Sequence, residues 1–66
     1  MRIIVNGEPR DVPDSITVRQ VVEMVSPPGA AAAAEVNQRL VPRREQETTV
    51  LSEGDRVEVV TLVGGG

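Results

Sequence analysis

Apolar and polar positions along this chain follow a period of two near both ends and a helical period between them. Arg2 to Val5 is a short β-branched, apolar run. Asn6-Gly7 follows at once, a pair whose two positions tolerate positive φ and close a two-residue hairpin. Pro9 fits only the edge or the start of a strand. The second strand is therefore expected over Arg10 to Val12, stopped by Pro13-Asp14.

Thr17-Val18-Arg19-Gln20 has the form of a capping box, in which the Thr17 hydroxyl accepts the residue-20 N–H and the Gln20 side chain returns to the N–H of Thr17. Val18, Val21, Val22 and Val25 then recur on one helical face, opposite Arg19, Gln20 and Glu23. Ser26-Pro27-Pro28-Gly29 ends the segment after eight or nine residues. That is below the ~12–15 an isolated helix needs in water, and valine is a mediocre helix former. The helix needs a sheet to lie on.

The run Ala30 to Ala34 is open to two readings, helix on propensity, or loop leading into a strand with Ala32, Ala34 and Val36 on one face. Its place after Pro-Pro-Gly favours the strand. Asn37-Gln38 turns the chain into a short strand, Arg39 to Val41, although Gln38 is ill suited to positive φ. Arg43 to Thr49 is polar without a period, a loop or a single helical turn. Val50 and Leu51 are expected to plug the core from beneath, and Ser52 to Asp55 forms a tight turn. In Arg56 to Leu62, Val57 and Val59 alternate with Arg56 and Glu58, a half-buried strand. Val60 and Leu62 share the face of the charged pair, which fits a partner surface and equally fits ordinary surface exposure. One short helix facing one sheet makes a two-layer α+β domain.

The chain has 66 residues and a net charge of −3. At roughly 0.05–0.15 kcal/mol per residue its stability is expected near 3–10 kcal/mol. It has no Cys and no His, so it offers no thiol nucleophile, thiolate metal site or imidazole base. Lacking Phe, Tyr and Trp, it has no platform on which bases could stack. Negative charge with scattered arginines argues against a nucleic-acid binder. The opening apolar run is too short for a signal-peptide core, and no stretch nears the ~18 apolar residues of a membrane span. The expectation is a soluble, cytoplasmic protein that is not an enzyme and holds neither metal nor cofactor.

Gly64-Gly65-Gly66 follows the most regular strand. The expected organisation is a domain over 1–63 and a glycine tail over 64–66. Taken alone, three glycines fit a linker remnant or a frayed end as well as a working part. The case for function is access, because residues without Cβ enter a slot too narrow for any other. Extended, they reach roughly 10 Å past the body, ending in a carboxylate with an ordinary pKa of about 3.3–3.7. Such a group can attack the α-phosphorus of ATP when an enzyme aligns the two and neutralises their charges. A sulfur nucleophile can then displace AMP. Ordering three glycines costs roughly 3–6 kcal/mol, so the body should dock as well. The face carrying Glu58, Val60 and Leu62 is the candidate.

Several stretches together resemble the thiamine-biosynthesis sulfur-carrier family ThiS, of the ubiquitin-like β-grasp class. They are Val5-Asn6-Gly7-Glu8, Glu35-Val36-Asn37, Val41-Pro42-Arg43, Gly54-Asp55-Arg56-Val57-Glu58 and Thr61-Leu62-Val63-Gly64-Gly65-Gly66. The resemblance implies a β-grasp fold, one helix on a mixed sheet of four to five strands. It implies a ThiF-type adenylyltransferase that uses ATP and Mg to activate Gly66, and a sulfur-donating enzyme that completes a thiocarboxylate there. It further implies delivery of the sulfur to thiazole synthase, ThiG, with Gly64, Gly65 and Gly66 threading the partners' sites. The chain departs from the family at Gln38, where many relatives have glycine, and in the alanine run.

Two other classes share the tail. The small subunit of molybdopterin synthase, MoaD, has the same fold and chemistry but is usually longer and ends in two glycines. A ubiquitin-like protein modifier would form an isopeptide bond instead. This chain has no Lys, so it could not build chains through its own lysines.

Overall fold

The computed structural model describes residues 1–62. The elements are β1 (Arg2–Val5), β2 (Glu8–Asp11), α1 (Val18–Val25), β3 (Ala31–Val36), β4 (Arg39–Val41), a 3-10 turn (Arg43–Glu45) and β5 (Arg56–Leu62). They form one helix and a five-stranded mixed sheet in the order β2-β1-β5-β3-β4. The first and last strands lie side by side and parallel in the middle, and the other pairings are antiparallel.

Both hairpins turn on an asparagine. Asn6 (φ 50°) with Gly7 (φ 84°), and Asn37 (φ 50°) with Gln38 (φ 69°), occupy the left-handed region that a two-residue primed turn demands. The second turn therefore keeps its shape despite Gln38. The second strand starts at Glu8 and ends at Asp11, earlier than the Arg10 to Val12 expected. Pro9 is accommodated by pairing geometry. Met1 and Val12 exchange backbone bonds at 2.8 Å, so alternation along the ladder leaves Pro9, opposite Ile4, at a non-hydrogen-bonded position. Its missing N–H removes nothing there, and β2 is an edge strand.

The capping box forms as read. Gln20 N donates to Thr17 Oγ1 at 3.2 Å, and Thr17 N donates to Gln20 Oε1 at 2.9 Å. Val18, Val21 and Val22 are buried, and Val25 packs at the margin of the core. The helix lies against β3, whose alanines put small side chains beneath it. The strand takes in the alanine run from Ala31 onward, and Ala34 is fully buried.

Ile3, Val5, Ala34, Val41 and Val57 line the sheet side of the core. Leu51 closes it, but Val50 does not and is 56% exposed. Val50 instead pairs with Thr17 in an isolated antiparallel bridge, with Leu51 N donating to Ile16 O at 2.9 Å. A bridge places successive side chains on opposite sides, so only one of the two can point inward. Gln46, within the stretch expected to be a polar loop, is 1% exposed. Its carbonyl accepts the Arg19 N–H at 2.9 Å, tying the segment to the start of α1.

Candidate functional site

The candidate site centres on β5 (Arg56–Leu62). On one flank its pairing with β1 ends at Val57, opposite Val5. Asn6 then extends the contact, its N–H donating to Val57 O at 2.9 Å and its Oδ1 accepting the Val59 N–H at 2.8 Å. On the other flank, Asn37 Oδ1 accepts the Arg56 N–H at 3.0 Å, and Asn37 Nδ2 donates to Asp55 Oδ1 at 3.0 Å. Two turn asparagines thus hold the strand, one at its start and one midway. From Glu58 to Leu62 the β3 partner continues through Glu35, Ala34, Ala33, Ala32 and Ala31.

Because strand side chains alternate, Val57 and Val59 face α1 while Glu58, Val60 and Leu62 share the open face. Glu58 is exposed, as are Val60 (59%) and Leu62 (55%). The structure thus places these three residues side by side on one exposed face. Register adds residues that the sequence reading missed. Ala33 stands opposite Val60, Ala31 opposite Leu62, and Leu40, itself exposed, opposite Glu35. The sequence carries no signal for them, since the four consecutive alanines of β3 show no alternation and only the pairing of β3 with β5 and β4 assigns each residue to a face. Ala31, Ala33, Val60 and Leu62 make an apolar strip at the end of β5. Below it, Glu35 and Glu58 face each other across the strands.

Gly64, Gly65 and Gly66, the expected threading residues, and the boundary at 63 lie outside the described residues. Among the described residues no group of three or more His, Cys, Asp and Glu is placed to hold a metal. No helix there is long and apolar enough to cross a membrane. A groove between α1, the loop after it and Arg43, lined by Arg19, Val22 and Ser26 among others, includes no residue of β5.

A single helix on a five-stranded mixed sheet with its first and last strands parallel at the centre is the ubiquitin-like β-grasp architecture. With Gly64-Gly65-Gly66 following its last strand in sequence, the chain falls in the class of small β-grasp proteins. Comparison with known proteins narrows the class. The sequence model of the ThiS family matches residues 3–66, and the chain belongs to that family. It is similar to the sulfur carrier protein ThiS of Escherichia coli, at 27% identity over 66 residues and the full length of both. Its fold is similar to the crystal structure of the thiamine biosynthesis protein ThiS from Geobacter metallireducens, with a TM-score of 0.79 and 29% identity covering all of both chains. It is also 30% identical over its full length to part of a thiazole synthase from Paramagnetospirillum magneticum. The chain spans only 20% of that relative.

Proposed function

We propose that this protein carries sulfur as a C-terminal thiocarboxylate for thiazole formation in thiamine biosynthesis, and that it is a substrate of its partners rather than an enzyme. The observation that carries the reading is the course of β5. The central strand of a ThiS-family fold ends at Leu62 beside an exposed apolar strip, and Gly64-Gly65-Gly66 follows it in sequence. The absence of Cys and His from the chain leaves it without the usual nucleophile and base, which fits a carried group better than a catalysed one.

In this reading an adenylyltransferase with Mg-ATP binds the body through Glu58, Val60 and Leu62 and receives the tail. A Gly66 carboxylate oxygen attacks the α-phosphorus and pyrophosphate leaves, giving an acyl-adenylate. Hydrosulfide, or its equivalent from a sulfur-donating enzyme, adds to the acyl carbon. AMP departs with the C–O bond, and the proton of the thioacid is released to leave the thiocarboxylate. Similarity to part of a thiazole synthase supports such an enzyme as the acceptor.

The test is intact mass followed by fragmentation after incubation with a ThiF-type adenylyltransferase, Mg-ATP and sulfide. Oxygen-to-sulfur exchange is nearly isobaric with oxidation of Met1 or Met24, so the fragments must place it. Sulfur on Gly66 supports the reading. An unmodified tail, under conditions that convert a known carrier, overturns it.

A further inference from the structure

Asn6 does two jobs at one position. It occupies the left-handed region at φ 50°, and its Oδ1 takes the Val59 N–H at 2.8 Å. Glycine would supply the first and not the second. That bond is the last tie between β5 and the β1 side of the sheet among the described residues. The final β1–β5 register pair is Val5 with Val57, and beyond Val59 the strand runs to Leu62 with β3 alone beside it. A two-stranded ribbon twists more than a wider sheet, so the point where the third partner stops sets the direction in which the ribbon leaves. From Val59 to Leu62 the strand covers about 10 Å at ~3.3 Å per residue. A rotation admitted at Val57 rather than Val59 is therefore magnified at the strand's end.

We propose that Asn6 is a positioning residue for the carrier reaction: its side chain fixes the heading of β5 and so the approach of the tail to the activating enzyme. This rests on the carrier reading above. Asn37 supplies an internal contrast. It has the same φ in the other turn and also grips β5, but at Asp55 and Arg56, the end remote from the tail.

Three variants separate pointing from stability. Asn6→Gly keeps the turn and removes the acceptor, Asn6→Asp keeps both, and Asn37→Gly removes the clamp at the far end. Amide exchange at Val59 by NMR and steady-state adenylation with a ThiF-type enzyme, read as pyrophosphate release, are measured on each with melting curves. In Asn6→Gly, Val59 exchange should rise about threefold to tenfold, the loss of one net hydrogen bond. Its kcat should fall roughly ten- to hundredfold with KM nearly unchanged, because the body still docks while the reacting group is misplaced. Asn6→Asp should restore most of both, and Asn37→Gly should lower the melting temperature without lowering kcat. Unchanged Val59 exchange in Asn6→Gly overturns the proposal, as does unchanged kcat or an equal fall in Asn37→Gly. Wild-type protein that is not adenylated at all overturns the carrier reading itself, and this proposal with it.

Discussion

Glu35 of β3 and Glu58 of β5 stand directly opposite each other on the open face of the sheet, and both are exposed. Like charges at such a cross-strand position oppose pairing, whereas opposite charges contribute roughly 0.2–1 kcal/mol. Glu58→Arg should therefore raise the stability of the free protein by up to about 1 kcal/mol. If the partner supplies the cation that the pair lacks, the same change should raise the KM for adenylation at least severalfold. Chemical denaturation and initial rates on one preparation read both. A rise in stability with no change in KM would remove Glu58 from the docking surface.

The reciprocal bonds between Thr17 and Gln20 satisfy two N–H groups at the start of an eight-residue helix. Thr17→Ala should cost about 1 kcal/mol. In a domain of this size that lowers the melting temperature by about 4–8 °C, measurable by circular dichroism.

Gln38 holds φ 69°, a conformation that costs a side-chain-bearing residue about 1–2 kcal/mol. Gln38→Gly should stabilise the domain by about 0.5–1 kcal/mol, once the greater freedom of glycine in the unfolded chain is subtracted. A urea midpoint shifted upward at constant slope is the expected result.

Gln46 is buried to 1% exposure, and its Oε1 has no hydrogen-bond partner among the described residues. An unmet buried acceptor costs roughly 1–3 kcal/mol. Gln46→Met keeps the volume and removes the polar atom, so stability should rise by about 1 kcal/mol in the same assay.

Arg2 Nε lies 3.0 Å from Asp11 Oδ1. The hydrogen bond from Arg2, and then its charge, hold the Asp11 carboxyl below its ordinary range. A carboxylate with a lowered folded pKa contributes stability above its unfolded value, about pH 4. That contribution is lost as pH falls through the still lower folded value. The same bond raises the Arg2 pKa, so Arg2 remains charged throughout this window. The stability of Asp11→Asn should fall less steeply than wild type below about pH 4, and added salt should shrink the difference, because both side chains are exposed. Melting curves between pH 2 and pH 6 at two salt concentrations make the comparison.

Local chemistry made much of this molecule readable from its residues. Asn6-Gly7, the Thr17 to Gln20 box and the alternation around Val57 each specify a conformation over a few positions, and each appears as read. Legibility failed where the outcome depended on what lies across the sheet. Whether Pro9 could join β2 turned on its place in the ladder opposite Ile4. Which of Val50 and Leu51 faced inward turned on a bridge to Thr17. Gln46 went unrecognised because its burial comes from the segment folding back on α1, and a polar stretch without a period carries no mark of that. The exposed face of β5 was half legible: Glu58, Val60 and Leu62 share one strand, whereas Ala31, Ala33 and Leu40 join them only through register.

The parallel placement of β1 beside β5 has a mechanical meaning. When the chain is pulled backward from the start of β1 and forward beyond Leu62, the load runs along both strands. It then falls together on Ile4 N to Asp55 O, Asn6 N to Val57 O and Val59 N to Asn6 Oδ1. Bonds loaded side by side in shear must yield nearly at once, whereas the β1–β2 hairpin, pulled open from its free end, would unzip one bond at a time. A domain held at its first strand and drawn beyond Leu62 therefore meets tension with its strongest geometry, several bonds resisting together rather than in turn.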